Sequence, residues 1–168
     1  MLSGHVFLVG VSGSGKSTLG RRAAAEFGIP FADTDDMVGQ MMNMSPAQVI
    51  KDLGSSFFHN AETGVLIKML DMVPSIVSTG VKVPLQKENV QLMINQGVIV
   101  HIDRPLDQVI AEALSSPEAM GRMDPDDIIS EYNHTIGFYR ACADYTLHND
   151  RGLIVGIQGL TALITDML

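Results

Sequence analysis

An open, parallel five-stranded sheet covered by helices on both faces, the three-layer α/β arrangement, is the fold this sequence predicts. Two β-branched runs without polar alternation, His5–Val11 (HVFLVGV) and Gly97–Ile102 (GVIVHI), read as strands buried on both sides. Amphipathic stretches of helical length separate such runs, which implies right-handed βαβ crossovers and hence parallel neighbours. The length of 168 residues, at about 150 residues per domain, predicts a single domain spanning residues 1–168. With 46% hydrophobic and 18% charged residues, the chain has the apolar material for a core and is excluded from the disordered class.

Taken in order, His5–Val11 is the first strand, and Lys16–Phe27 the helix after it, stopped by Gly28. Phe31–Asp33 is a short second strand. Three helices follow, Asp36–Met42, Pro46–Leu53 and Ser55–Met72. Ser45 is suited to cap the second of them and Pro46 to its first turn. Methionines 37, 41, 42 and 44 recur at helical spacing and read as a pliable core seam. Ser75–Thr79 is the third strand. Pro84–Gln96 is a helix with Pro84 in its first turn, and Gly97 ends it. After the strand Gly97–Ile102 come helices Leu106–Leu114 and Pro125–Cys142, the strand Asp144–His148 and a last helix, Gly152–Leu168. No repeat or low-complexity tract interrupts the pattern.

Charge and cysteine usage narrow the function classes. Eleven Lys and Arg against 19 Asp and Glu give a formal charge of −8, which disfavours duplex nucleic acid and anionic membranes as partners. No apolar run reaches the ~18 residues of a membrane span. MLSGHVFLVG lacks the basic front end and cleavage site of a secretory leader. The single Cys142 rules out an internal disulfide and fits a reducing compartment as a small hydrophobe. These features predict a cytoplasmic chain, more readily monomer than oligomer. His5, His59, His101, His134 and His148 show no metal-ligand spacing.

The most specific signal is Gly10-Val-Ser-Gly-Ser-Gly15-Lys16-Ser17, which fits GxxxxGK followed by Ser or Thr without a gap. Chance yields such a string in roughly one chain of this size in a few hundred. Here it also lies between a strand and a helix, the context its chemistry needs. Glycines let successive backbone N–H groups turn toward phosphate oxygens, and the helix start adds its positive end. Gly13, Ser14, Gly15, Lys16, Ser17 and Thr18 are therefore the predicted ATP-binding residues. Lys16 would reach the β- and γ-phosphates, and Ser17 would place its hydroxyl on Mg²⁺. Downstream, Phe31-Ala-Asp33-Thr-Asp35-Asp36 ends a strand at the edge where ligands bind in open parallel sheets. Asp33 would hold Mg²⁺ through water. Asp35 would accept the proton of an attacking hydroxyl. The plainer alternative makes Asp35 or Asp36 a helix cap and Asp33 a solvated loop residue.

With those residues in place, the chain resembles the shikimate kinases, a P-loop NTPase/kinase type of fold. FLVGVSGSGKSTLGRRAA resembles the family's opening strand, loop and helix, and FADTDDMV its magnesium and substrate aspartates, at Asp33 and Asp35. NMSPAQVIKDLGSSFFHNAE resembles its small substrate-binding segment, about residues 34–72, including Phe58 and Glu62. IVSTG resembles the strand that leads to a triple-glycine turn, and FYRACAD with YTLH the last helix and strand. The resemblance implies ATP-dependent transfer of the γ-phosphate to a small-molecule hydroxyl, shikimate to shikimate 3-phosphate, in aromatic amino-acid biosynthesis. It places a lid at about 115–126 with Arg122 as its catalytic arginine, beside Lys16 and Asp35. It also places the substrate against Asp35, His59, Glu62 and Gly80.

The departures fall on that substrate site. His59 stands where the family has an arginine, Gly80-Val81-Lys82 replaces the triple glycine, and Thr135 replaces an arginine one helical turn before Tyr139. An arginine grips a carboxylate bidentately, which neutral His and Thr cannot do. Lys82 and Arg140 are the cations the sequence offers instead. Glu112 occupies the position of an adenine-stacking arginine. Two alternatives follow: a kinase for another hydroxylated metabolite, gluconate-like or a polyol, and a nucleotide-binding homologue without catalysis. A nucleoside monophosphate kinase would need acceptor-phosphate arginines, and Lys51 is the only cation between Asp33 and Glu62.

Overall fold

The computed structural model describes residues 2–115 and 124–168. Five strands, β1 (His5–Val9), β2 (Phe31–Asp33), β3 (Ile76–Ser78), β4 (Gly97–Asp103) and β5 (Tyr145–His148), form one sheet in the order β2-β3-β1-β4-β5. All four neighbouring pairs are parallel, with Phe7 opposite both Val77 and Ile99. Parallel order obliges each connection to cross a face of the sheet, and helices do so on both sides.

β1 is buried throughout, and its alternating side chains serve two cores. Phe7 and Val9 join Val77 and Ile99 in a cluster with helices α2 (Thr34–Met42), α4 (Ser55–Lys68), α5 (Lys87–Gln96) and α7 (Pro125–Cys142), through Val38, Val65, Met93 and Tyr139. Val6 and Leu8 join Ile76, Val100 and Ile102 in a second cluster with α1 (Lys16–Phe27) and α8 (Leu153–Thr165), through Leu19, Ala23, Leu160 and Ile164. Full burial of each such side chain contributes roughly 1.5–3 kcal/mol, so this two-sided strand anchors everything at its carboxyl end. Met37, Met42 and Met44 pack on the first cluster as the seam reading expected, whereas Met41 faces solvent.

The remaining helices are α3 (Pro46–Leu53), with Ser45 Oγ accepting from Gln48 N at 3.2 Å, and α6 (Leu106–Ser115). Several boundaries move from the sequence reading for physical reasons. β1 stops at Val9 because Gly10 takes a φ of +155° and runs so close to β4 that a Cβ on it would lie 2.7 Å from the Ile102 carbonyl oxygen. α2 starts two residues early: Asp33 itself is the cap and accepts from Asp35 N at 3.1 Å. α4 ends at Lys68 and tightens into a 3-10 turn, Met69–Asp71. Pro84 opens no α-helix; it lies in a 3-10 turn, Val83–Leu85, and the extended residue Gln86 separates that turn from α5.

Candidate active site

The carboxyl ends of β1, β2 and β3 converge on one cavity of about 270 Å³. Gly13, Gly15, Lys16, Ser17 and Thr18 line it together with Asp33, Asp35, Ser78, Gly80, Val81 and Glu112. Sequence positions spread over 100 residues thus meet at the edge where a parallel sheet opens.

On one side lies the phosphate loop. Gly13 and Gly15 hold φ values of +74° and +100°, the left-handed region that only glycine enters without strain. Lys16 is buried, and its Nζ donates to the carbonyls of Gly10 at 2.8 Å and Val11 at 3.0 Å. Burial lowers its pKa to about 8, opposed by the charges of Asp35, Asp33 and Glu131. Ser17 Oγ donates to Asp33 Oδ2 at 2.8 Å and meets Ser78 Oγ at 2.9 Å. Ser14 Oγ lies buried beneath the loop without a partner.

On the other side, three elements bring carboxyls together. Thr34 Oγ1 accepts from Gly80 N at 2.8 Å, which ties the start of α2 to the residue just past β3. Asp35 Oδ1 and Glu62 Oε1 both press on Gly80: a Cβ there would lie 2.6 Å from the first and closer still to the second. Glycine is required here by close approach rather than by backbone angle. Burial, then Asp35, pushes the Glu62 carboxyl up to about 8. Burial and Asp33 raise Asp35 as well. With both groups ionised, neither could donate, and Asp35 Oδ1 is left buried without a partner. One proton shared between the two carboxyls supplies the missing donor and leaves the pair with a single charge.

Glu62 is held on its other oxygen by His59 Nδ1, 2.8 Å from Oε2 and one helical turn earlier on α4. Burial lowers the His59 pKa, and the nearby Lys82 ammonium adds to that effect. The same Lys82 charge opposes the upward shift of Glu62, so the lysine lies beside this cluster, on the exposed turn after β3. Asp35, His59, Glu62, Gly80 and Lys82 therefore form one neighbourhood.

A family model for shikimate kinase matches residues 12–154. The shikimate kinase of Clostridium beijerinckii is 28% identical over 99% of this chain and 98% of its own length. That of Nitratidesulfovibrio vulgaris is 30% identical over 95% of each. The chain belongs to the shikimate kinase family. Its fold superposes on a shikimate kinase from Acinetobacter baumannii solved in complex with shikimate, with a TM-score of 0.82 and 20% identity over 98% of this chain and 95% of that one. Family membership brings ATP use and phosphotransfer to a hydroxyl of a small molecule.

Within this family frame the departures acquire positions. Arg140 does not join the acceptor cluster. Tyr139, one residue earlier on α7, takes the inward direction and donates its hydroxyl to the Val81 carbonyl at 2.8 Å. A step of about 100° around the helix then turns Arg140 outward, where it is exposed and acts electrostatically on His101 of β4. Thr135 is buried against its own helix, its hydroxyl donating to the Glu131 carbonyl at 2.7 Å. Glu112 pairs with Arg104, whose guanidinium also donates to the Gly13 carbonyl at 2.9 Å. A guanidinium thus reaches the phosphate loop from position 104, while position 112 holds it. Arg122 and residues 116–123 of the expected lid lie outside the described residues. His5 and His101 are buried strand residues, and His148 is an exposed one. Among the described residues no cluster of three or more His, Cys, Asp or Glu gathers around a common point. Burial pushes the Cys142 thiol up to about 11, which makes it an inert packing residue.

Sequence reasoning missed Ser78, Glu131, Arg104 and Asn149. Ser78 bonds Ser17, and Glu131 accepts from Ser12 N at 3.3 Å. Asn149 donates from Nδ2 to the Ser14 carbonyl at 2.9 Å. The available signal was topological: Ser78, Arg104 and Asn149 all lie at or just past strand ends that share the edge with Gly10.

Proposed function

We propose that this chain transfers the γ-phosphoryl group of ATP to a hydroxyl of shikimate, giving shikimate 3-phosphate and ADP for aromatic amino-acid biosynthesis. The observation that carries the reading is that Asp35, which meets Glu62 at Gly80, lines the same cavity as the phosphate loop. Gly13 to Thr18 would cradle the phosphates through backbone N–H groups. Lys16 would exchange its two carbonyl contacts for the β- and γ-phosphates. Asp35 would take the hydroxyl proton as the acceptor oxygen attacks in line and the bond to the departing ADP oxygen breaks. Lys82 supplies the charge for the acceptor's carboxylate, with Glu62 orienting the neutral His59 ring beside it and Gly80 leaving room between them.

Ser17 Oγ, Asp33 and Ser78 Oγ form a hard, all-oxygen donor set, which suits Mg²⁺, an ion that keeps most of its waters and takes few protein ligands. When bound there, Mg²⁺ would neutralise charge on the transferred phosphate. The lone Cys142 fits a reducing compartment such as the cytoplasm. The gluconate-like and non-catalytic alternatives are not favoured, since the family model and the two relatives named above are shikimate kinases.

The test is ADP release from ATP and Mg²⁺ with shikimate beside gluconate and neutral polyols. Shikimate should stimulate release and the others should not. Stimulation by gluconate or a polyol alone, or silence from a protein that still binds ATP, would overturn the reading.

A further inference from the structure

The phosphate loop is gripped from behind at two consecutive carbonyls, and neither grip belongs to the loop's own motif. Arg104, just past β4, donates to the Gly13 carbonyl at 2.9 Å and is pinned by Glu112. Asn149, just past β5, donates to the Ser14 carbonyl at 2.9 Å. Asn149 is in turn fixed on three sides. Its backbone N–H donates to the Asp103 carbonyl at 2.7 Å. Its amide nitrogen packs on Gly15, where a Cβ would lie 2.7 Å from Nδ2. Its amide oxygen packs on Gly156 of α8, where a Cβ would lie 2.6 Å from Oδ1. The side chain is 7% exposed, so its single donated bond is made away from water.

Across a trans peptide the carbonyl and the following N–H point in opposite directions. Holding the Ser14 carbonyl on the Asn149 side therefore aims the Gly15 N–H at the cavity. Without the grip, a glycine-flanked peptide is free to flip, because Gly13 and Gly15 tolerate either sign of φ. We propose that Asn149 and Arg104 are positioning residues for nucleotide binding: Asn149 keeps the Gly15 N–H turned toward the triphosphate before it arrives, and Arg104 steadies the preceding turn, whose Ser14 N–H donates to the Val11 carbonyl at 3.2 Å. The glycine at 156 is part of the device, since it makes the room that Asn149 needs. The proposal rests on reading the loop as the ATP site, and pre-organisation of this kind acts by removing ordering cost from binding.

The probe is inorganic tripolyphosphate with Mg²⁺, titrated calorimetrically into the whole protein, beside KM values for ATP and shikimate. Asn149→Ala should weaken tripolyphosphate about tenfold and raise the ATP KM to match, while the shikimate KM stays within twofold. Arg104→Met should do the same to a smaller degree, and Arg104→Lys, which keeps a donor for the Gly13 carbonyl, should restore most of the loss. Gly156→Ala displaces the asparagine from a helix behind the loop and should reproduce the Asn149→Ala loss. In the double variant Asn149→Ala/Gly156→Ala the two losses should not add, because the new methyl then keeps only its 3.0 Å approach to Leu19 Cδ2 and has no asparagine to displace. Additive losses, equal weakening of ATP and shikimate, or unchanged tripolyphosphate affinity in Asn149→Ala would overturn the proposal. Failure of the native protein to bind tripolyphosphate or ATP at all would instead overturn the reading of the loop itself.

Discussion

The two halves of the cavity are built by different means. In the phosphate half, from Gly10 to Thr18, the chemistry lies in backbone direction: left-handed glycines and a helix start, with Lys16 the one charged side chain. In the acceptor half the backbone supplies little more than room at Gly80. The chemistry there lies in side chains from α2, α4 and the turn after β3, each holding the next: Thr34 on Gly80, Glu62 against Asp35, His59 on Glu62. A backbone device tolerates no substitution of its glycines, so it survives as a readable motif. A side-chain device can be rebuilt from other residues, and here His59 and Lys82 stand where the family resemblance led us to expect an arginine and a glycine.

The sharpest contrast comes from one substitution in each half. Lys16→Met should abolish ATP binding. Asp35→Asn should lower shikimate-stimulated ADP release by about a thousandfold while ATP affinity, measured by calorimetry, changes less than threefold. If Asp35→Asn turned over at the native rate, the aspartate would not be the base. If it lost ATP binding as well, the two halves would not be separable units.

That separation also explains how much could be read beforehand. Gly13, Gly15, Lys16 and Ser17 are contiguous, and their physics is local, so spacing alone exposed them. Asp33 and Asp35 were visible because a strand ended there, yet the plainer alternative put the cap at Asp35 or Asp36: apolar periodicity begins only at Met37, whereas the Asp33 side chain bonds Asp35 N. Glu62 came into view through resemblance, since nothing in its spacing from Asp35 shows that both carboxyls meet at Gly80. Arg140 and Lys82 looked equivalent as cations; the inward turn of Tyr139 and the action of the Lys82 charge on His59 and Glu62 distinguish them. Arg104 and Asn149 carry no motif, because their partners are carbonyls and any donor at those strand ends would serve.

A second pair of substitutions, smaller in effect, tests the rebuilt half. Lys82→Gln should raise the shikimate KM about tenfold, the cost of losing one charge-assisted contact, with kcat little changed. Arg140→Gln, on the outer face of α7, should leave KM within twofold. The reverse ranking, read from initial rates over a shikimate series, would put the acceptor's carboxylate under β4 instead of beside Gly80.

The smallest effect separates the halves by their protons. Two groups titrate at about 8 in the free protein: Lys16, lowered by burial, and Glu62, raised by burial and Asp35. For Glu62 the folded chain binds its proton more tightly than the unfolded chain. Its contribution to stability is therefore complete below the ordinary 4.5 of a glutamate and is lost as pH climbs through about 8. Glu62→Gln keeps an oxygen for His59 Nδ1–H and gains an amide donor for Asp35 without ever carrying charge. The variant should match the native protein below pH 4.5, gain on it steadily up to pH 8 and hold a constant excess above that, each unit of displacement being worth at most about 1.4 kcal/mol. Urea midpoints across that range would show the divergence. Parallel curves would mean that Glu62 ionises in the folded protein as it does in the unfolded chain, with Asp35 holding the shared proton instead. The acceptor half would then lack a charged base until substrate arrives, and its difference from the phosphate half, whose ammonium is in place beforehand, would be one of timing as well as of construction.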